Sequence, residues 1–377
     1  MDSPERINSR APAFSVVLSA LVVAILAPFP RHQAVAQDAE TEYVGSAALG
    51  LTLRQLGTTK RVLMIAAHPD DEQTQVLSTL ALAHGADVAY LALTRGEGGQ
   101  NGIGPELKDA LGLLRSEELL AARRLDGARQ FFTRAIDWGF SKNADEAFQM
   151  WPREELLRDV VAVVRHFRPD VIVSVFSGTP RDGHGQHQAA GIMATEAFAA
   201  SAEPNRFPDQ IEAGLRPHQA THLFRVARGI EDDVAATLVT GELDPLLGQS
   251  HFQVAMASRS RHRSQDMGQT LRAGPQSSTL VLADTRISDR PDAVFAGVDT
   301  TLFARARELS PPDGADGVSD LLTRYEATID DARRAFNPLY PGIILPFLTE
   351  AAAMLDRVSE LVSDQGEAGA ELRFHLA

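Results

Sequence analysis

The run Arg61-Val62-Leu63-Met64-Ile65-Ala66 ends abruptly in Ala67-His68-Pro69-Asp70-Asp71-Glu72. An unbroken apolar strand of this kind suits the interior of a parallel sheet, buried on both faces. A helix is expected to take over from about Asp71 to His84, stopped by Gly85. The pattern then repeats: strand 87–94, a Gly-rich loop over 96–104, and helical spacing of Leu107, Leu111, Leu114, Ala122 and Leu125. A short strand near 129–133, a helix near 153–167, strand 171–176 and an Ala-rich helix after His187 follow. Alternating units of this type predict an α/β fold, a mostly parallel sheet with helices on both faces. In such sheets ligands bind beyond the carboxyl ends of the strands. Beyond residue 220 the expected elements are strands at 221–228, 234–240 and 279–287 and a helix near 251–263. Two further helices, 316–336 and 343–363, flank Asn337-Pro338-Leu339-Tyr340-Pro341-Gly342.

The chemistry-bearing residues fall at strand ends. Neutral imidazole and carboxylate are divalent-metal ligands, and zinc hydrolases commonly use three protein ligands and keep one position open. His68 and Asp71, three apart in one turn, can converge on an ion, which leaves Asp70 free as a base. The competing reading is helix capping by Asp70, Asp71 and Glu72, and it does not account for His68. The first cluster lacks a third ligand. His184-Gly185-Gln186-His187 supplies two candidates: one His completes the metal set, while the other stays free for proton donation or oxyanion stabilisation. Spacing alone does not decide which.

Gly96-Glu97-Gly98-Gly99-Gln100-Asn101-Gly102 lacks the phosphate-loop lysine and the dinucleotide pattern. It reads as a substrate-covering loop with Gln100 and Asn101 as hydrogen-bonding residues, or as a plain surface turn. Arg115 reads on spacing as a helix-surface salt-bridge residue. Ser258-Arg259-Ser260-Arg261-His262-Arg263-Ser264-Gln265 is a basic run in an acidic chain, either a solvated helix end or a contact for an anionic or polar ligand.

The 377 residues carry 36 basic and 50 acidic side chains, a net charge of −14, which argues against nucleic acid as a partner. Arg6 and Arg10 precede the apolar run from Ala11 to Phe29, and Ala34-Val35-Ala36 offers a cleavage position before Gln37. Residues 1–36 therefore read as a secretory signal, with a retained anchor as the alternative, and the chain as exported, periplasmic or secreted. No later segment is apolar enough to span a membrane. Cysteine is absent, so every metal ligand must be nitrogen or oxygen. Residues 37–58 are expected to form an N-terminal arm, 59–309 the main domain and 310–377 a helical C-terminal extension, with Ser310-Pro311-Pro312-Asp313-Gly314 as the linker.

Four segments taken together resemble the PIG-L (GlcNAc-phosphatidylinositol de-N-acetylase) family: Ala67-His68-Pro69-Asp70-Asp71-Glu72, Leu93-Thr94-Arg95-Gly96-Glu97-Gly98-Gly99, Arg115-x-Glu117-Glu118-Leu119 and His184-x-x-His187-x-Ala189-Ala190-Gly191. The similarity runs over about residues 58–265. It implies a Rossmann-like fold and zinc-dependent deacetylation of N-acetylglucosaminyl compounds. Carried over by position, it implies His68, Asp71 and His187 as metal ligands, Asp70 as general base, and His184 as the group assisting the oxyanion or leaving group. It also implies Arg115 as a substrate-binding arginine, His262 within a late element near the substrate, and Asp137 at a sugar-contacting position. Gly185-Gln186 stand where many members carry Pro-Asp, so a carboxylate contact from that position is missing. Val294-Phe295-Ala296-Gly297-Val298-Asp299 is similar to a segment of longer exported members.

The expectation is a zinc-dependent hydrolase of an N-acyl amide, an N-deacetylase acting on an acetylated sugar or glycoconjugate. The alternatives are an amidase for a thiol conjugate or other acylated amine, and a metal-retaining carbohydrate-binding module without turnover. Asp70 argues against the module, because binding alone does not need a second carboxylate beside a metal. A nucleotide-binding Rossmann protein is disfavoured by the absent fingerprint.

Overall fold

The structure is a computed structural model that describes residues 41–229, 233–309, 316–363 and 372. The proposed signal, the 310–314 linker and most of the last fourteen positions lie outside the described residues.

Helix α1 (Gly45–Gln55) precedes strand β1 (Arg61–Ala66). Helix α2 (Thr74–Ser78) runs on as a π-helical turn over Thr79–Ala83. Then come β2 (Asp87–Ala92), α3 (Asp109–Asp126), β3 (Arg129–Phe132), α4 (Ala144–Met150), α5 (Arg153–Phe167) and β4 (Val171–Ser174). They are followed by α6 (Gly185–Ala200), α7 (Pro208–Glu212), β5 (His222–Val226), β6 (Val234–Val239), the small pair β7 (Leu243–Asp244) and β8 (Gln249–Ser250), α8 (His251–Arg259) and β9 (Ser277–Thr285). Helices α9 (Leu302–Leu309), α10 (Asp316–Ala335) and α11 (Leu345–Val362) follow.

The main sheet has seven strands in the order β3-β2-β1-β4-β5-β9-β6. The first five are parallel, and β9 runs antiparallel to both β5 and β6. Residues 62–66 of β1 are fully buried, as a strand covered on both faces requires. Helices α2, α3 and α8 pack on one another, while α5 packs on α6. Right-handed crossovers place these two groups on opposite faces of the sheet. Connections leave β1 toward β2 on one side and return to β4 on the other, so the sheet reverses direction between β1 and β4. The crevice at their carboxyl ends is where such folds bind ligands.

The packing adds detail at two of the expected boundaries. The arm at 37–58 contains α1, whose Leu51 joins the main core and whose Leu53 packs with Ala332 and Ile344. Helix α9 sides with the C-terminal helices, because Leu302 and Ala306 share a cluster with Val318, Leu322, Tyr325, Met354 and Val358. By packing, the C-terminal unit therefore begins near Leu302, ahead of residue 310.

Candidate active site

The turn after β1 is built by its own side chains. Asp71 Oδ2 accepts the His68 backbone N–H at 2.7 Å, and the Asp71 N–H returns to the His68 carbonyl at 3.3 Å. Tyr90, wholly buried on β2, donates its hydroxyl to the same carbonyl at 2.5 Å. The His68 ring follows, with Nδ1 3.1 Å from Asp71 Oδ2. Asp71 Oδ1 lies 3.1 Å from His187 Nε2, so one carboxylate bridges the two rings.

His187 enters from the first turn of α6. Its Nδ1 faces the Asp182 carbonyl at 3.1 Å, and its ring stacks on Phe176 with centroids 4.0 Å apart. Asp182 in turn holds the loop before α6, accepting from the backbone of Ser177, Gly178 and Thr179. His184 sits at the N-cap of α6, its ring centroid 3.7 Å from that of His187 and 5.4 Å from that of His68. A nitrogen from each of His68, His184 and His187 lies within 4.8 Å of the others.

Asp71 accounts for the approach of His68 and His187, while His184, its ring centroid 3.7 Å from that of His187, brings a third imidazole to the same place. The buried His184 Nδ1 has no hydrogen-bond partner, which suits a ring turned toward a ligand. Three imidazole nitrogens this close are donors that a divalent metal takes. Of the set expected from the resemblance, His68 and His187 belong to this group, Asp71 touches both rings at 3.1 Å, and the third nitrogen is that of His184.

Electrostatics follow the geometry. Burial opposes ionisation of Asp71, but His187 and His68 outweigh it and hold the carboxyl well below the usual carboxylate range. Burial lowers the pKa of His68, yet Asp71 more than compensates and the net shift is upward. Burial, together with His187 and His68, pulls His184 down to about 4. Asp70 moves the other way, to about 6, raised by burial and by Asp71 against Arg115.

Asp70 stands beside the histidines with φ 96°, a backbone conformation rare for residues other than glycine. Its Oδ1 accepts from Arg115 Nη2 at 3.0 Å. Arg115 also donates to the carbonyls of Gly96 and Pro69 and is 3% exposed. It is thus a cross-brace between the Gly-rich loop and Asp70, and its guanidinium has little surface left for a substrate.

Asp137 arrives on the loop after β3, with Oδ2 3.8 Å from His68 Nε2 and Oδ1 accepting from Gly139 at 2.8 Å. Gln186, buried at the position where Asp was missing, donates to the Gly139 carbonyl and accepts from Ser141 at 2.8 Å. It supports the Asp137 loop with an amide. The loops fit only because Gly98 lacks a side chain: a Cβ there would collide with the Gly139 nitrogen. Gln100 is exposed, and its carbonyl accepts from Gln265 Nε2 at 2.7 Å.

The expectation that His262 contacts substrate is corrected. The ring is 0% exposed, and its Nε2 lies 2.6 Å from Glu72 Oε1. Glu72 is equally buried and pairs with Arg123 at 3.1 Å; Arg123 also pairs with Asp126 at 2.6 Å, and Ser258 donates to Asp126 at 2.7 Å. Sequence reasoning missed this network. Arg123 and Asp126 lie on a helix with charges all round, and nothing in spacing marks which of them turn inward.

Residues 63–198 match the family described as PIG-L, GlcNAc-PI de-N-acetylase. The diacetylchitobiose deacetylase of Thermococcus kodakarensis is 30% identical over 161 residues, 42% of this chain and 57% of the relative. The 1D-myo-inositol 2-acetamido-2-deoxy-alpha-D-glucopyranoside deacetylase of Geodermatophilus obscurus is 33% identical over 168 residues, 40% and 56% respectively. The chain thus spans little more than half the length of these curated relatives. Among solved structures, the N,N'-diacetylchitobiose deacetylase of Pyrococcus horikoshii aligns over 55% of this chain and 70% of its own at 22% identity, with a TM-score of 0.43.

Proposed function

From the premise that residues 63–198 form a PIG-L domain, we propose that the protein is a zinc-dependent N-deacetylase acting on an acetylated sugar or glycoconjugate. The observation that carries this reading is the convergence of His68, Asp71, His184 and His187, with Asp70 beside them, at the reversal point of the sheet. His68, Asp71 and His187 would hold the metal. When bound, it supplies polarisation of the amide carbonyl and activation of the attacking water.

The protein's own groups supply the rest. Arg115 holds Oδ1 of Asp70, which leaves Oδ2 to take the proton of the attacking water. His184, whose Nδ1 has no internal partner, steadies the oxyanion or delivers a proton to the departing amine. Asp137, next to His68 and backed by Gln186, would meet a sugar hydroxyl. The exposed Gln100 can approach the ligand from the Gly-rich loop.

Support for a sugar substrate comes from the relatives, whose names describe deacetylation of acetylated amino sugars. The test is release of free amine from N-acetylglucosamine, diacetylchitobiose and acylated thiol conjugates, before and after metal removal by chelation and zinc restoration. Amine from the sugars that disappears with the metal is the expected result. Turnover confined to the thiol conjugates would favour the amidase alternative. Binding of sugars with no amine release by fully metallated protein would favour the non-catalytic module.

Residues 1–36 are proposed to direct export and to be cleaved before Gln37. N-terminal sequencing of protein from the native host should begin at Gln37, and an intact, soluble cytoplasmic chain would refute export.

A further inference from the structure

Asp70 is held through the peptide groups on both of its sides. Its N–H donates to Glu72 Oε2 at 2.9 Å, and its carbonyl accepts from Arg259 Nη1 at 3.1 Å. The same Nη1 reaches the Glu72 carbonyl at 3.4 Å. Glu72 is immobilised between Arg123 and His262, both fully buried, and Arg259 closes the last turn of α8. Between these two holds Asp70 keeps the φ of 96° that its side chain disfavours. A strained residue persists only where its surroundings over-determine it.

We propose that Arg259 and Glu72 are positioning residues that clamp the Asp70 backbone and thereby aim its carboxylate. Neither touches the reacting atoms. The idea rests on the reading of Asp70 as proton acceptor. Without the clamp, the peptide from Pro69 to Asp71 relaxes toward ordinary backbone geometry and swings Oδ2 off the water. Arg115 holds Oδ1 and the Pro69 carbonyl, on the side before Asp70, and leaves the Asp70 carbonyl to Arg259.

The clamp gives a role to the basic run at 258–265. Arg259 and His262 lie beyond the matched segment 63–198, and they reach it through the end of α8. A substrate-binding role for Arg259 would predict a different kinetic signature.

The test uses full-length, metal-loaded protein. Arg259→Met should lower kcat by ~10- to ~100-fold, the scale of loss for a misplaced catalytic group, with KM within about twofold and metal content unchanged. In Asp70→Asn the clamp has nothing left to aim, so adding Arg259→Met should not lower the residual rate further. Wild-type kcat in Arg259→Met, a raised KM at unchanged kcat, loss of metal, or multiplicative losses in the double variant would each overturn the proposal. Should Arg259→Met not fold, Arg259→Lys carries the test. One ammonium cannot reproduce the guanidinium geometry, so kcat should fall at least ~3-fold at constant KM, and wild-type kcat would overturn the clamp. Full turnover in Asp70→Asn alone defeats the proton-acceptor reading. Full turnover in Arg259→Met beside an inactive Asp70→Asn defeats only the clamp.

Discussion

His184 and His187 are one helical turn apart, yet their surroundings differ. His187 is locked by Phe176 and the Asp182 carbonyl, while Nδ1 of His184 has no partner. A ring fixed on its far side by a carbonyl is oriented as a metal ligand needs to be. His187→Ala should therefore lose stoichiometric zinc, and His184→Ala should keep it while turnover falls; elemental analysis beside amine release separates the two. An empty site in His184→Ala would move His184 into the ligand set. Asp70→Asn is nearly isosteric and cannot take a proton. It should retain metal while turnover falls by about 10²–10⁴-fold, the usual cost of losing a general base. Undiminished turnover would remove Asp70 from the mechanism.

At the scale of elements, the buried network of Glu72, Arg123, Asp126 and His262 joins the turn after β1 to α3 and the end of α8. Arg123→Met removes one cation and leaves two buried carboxylates short of their partner. Breaking such a pair costs about 3–5 kcal/mol, so the denaturation midpoint should drop sharply; a midpoint within error of the parent would show that His262 and Ser258 suffice. The same network explains where the sequence misled. Strands β1, β2 and β4 were legible because their apolar runs are nearly continuous, and α5 was legible at 153–167 because its buried Leu156, Leu157, Val160, Val161 and Val164 keep helical spacing. The helix expected from Asp71 starts three residues later, because Asp71 and Glu72 are spent on His68, Arg123 and His262 instead of capping. The His-Asp-His convergence was readable from two strand ends. The inward turn of Arg115 and Arg123 was not, since a charged residue on a helix carries no mark of the face it will occupy, nor was that of His262, which lies in the turn after α8.

Across the whole molecule, acid sensitivity has a source far from the histidine cluster. His218, before β5, hydrogen-bonds the Pro169 carbonyl at 2.7 Å, and burial pulls its pKa from 6.5 to about 3 against that carbonyl, helped by Arg168, Arg305 and Arg61. Above about 6.5 the ring is neutral in both folded and unfolded chain, so it adds no pH dependence there. Below that value the unfolded chain takes up a proton that the folded chain refuses, and stability falls as pH drops toward 3. His218→Gln should flatten the stability profile between about pH 6 and 4. An unchanged slope in equilibrium denaturation would assign the acid sensitivity elsewhere. The C-terminal helices matter at the same scale, because they cover Leu53, Leu302 and Ala306. A chain ending at residue 309 should melt at lower temperature and bind hydrophobic dye, and an unchanged melt would show the extension to be dispensable.

The pairing of α1 with α10 also sets a clock. Arg333 Nε donates to the Leu53 carbonyl across 280 residues of chain. Synthesis proceeds at roughly 5–20 residues per second, so α1 waits on the order of 15–55 s for its partner to be made. During that interval its Leu53 face is sticky, unclaimed surface on a nascent chain, and a holding chaperone or an exporter that keeps the chain unfolded would be the natural custodian.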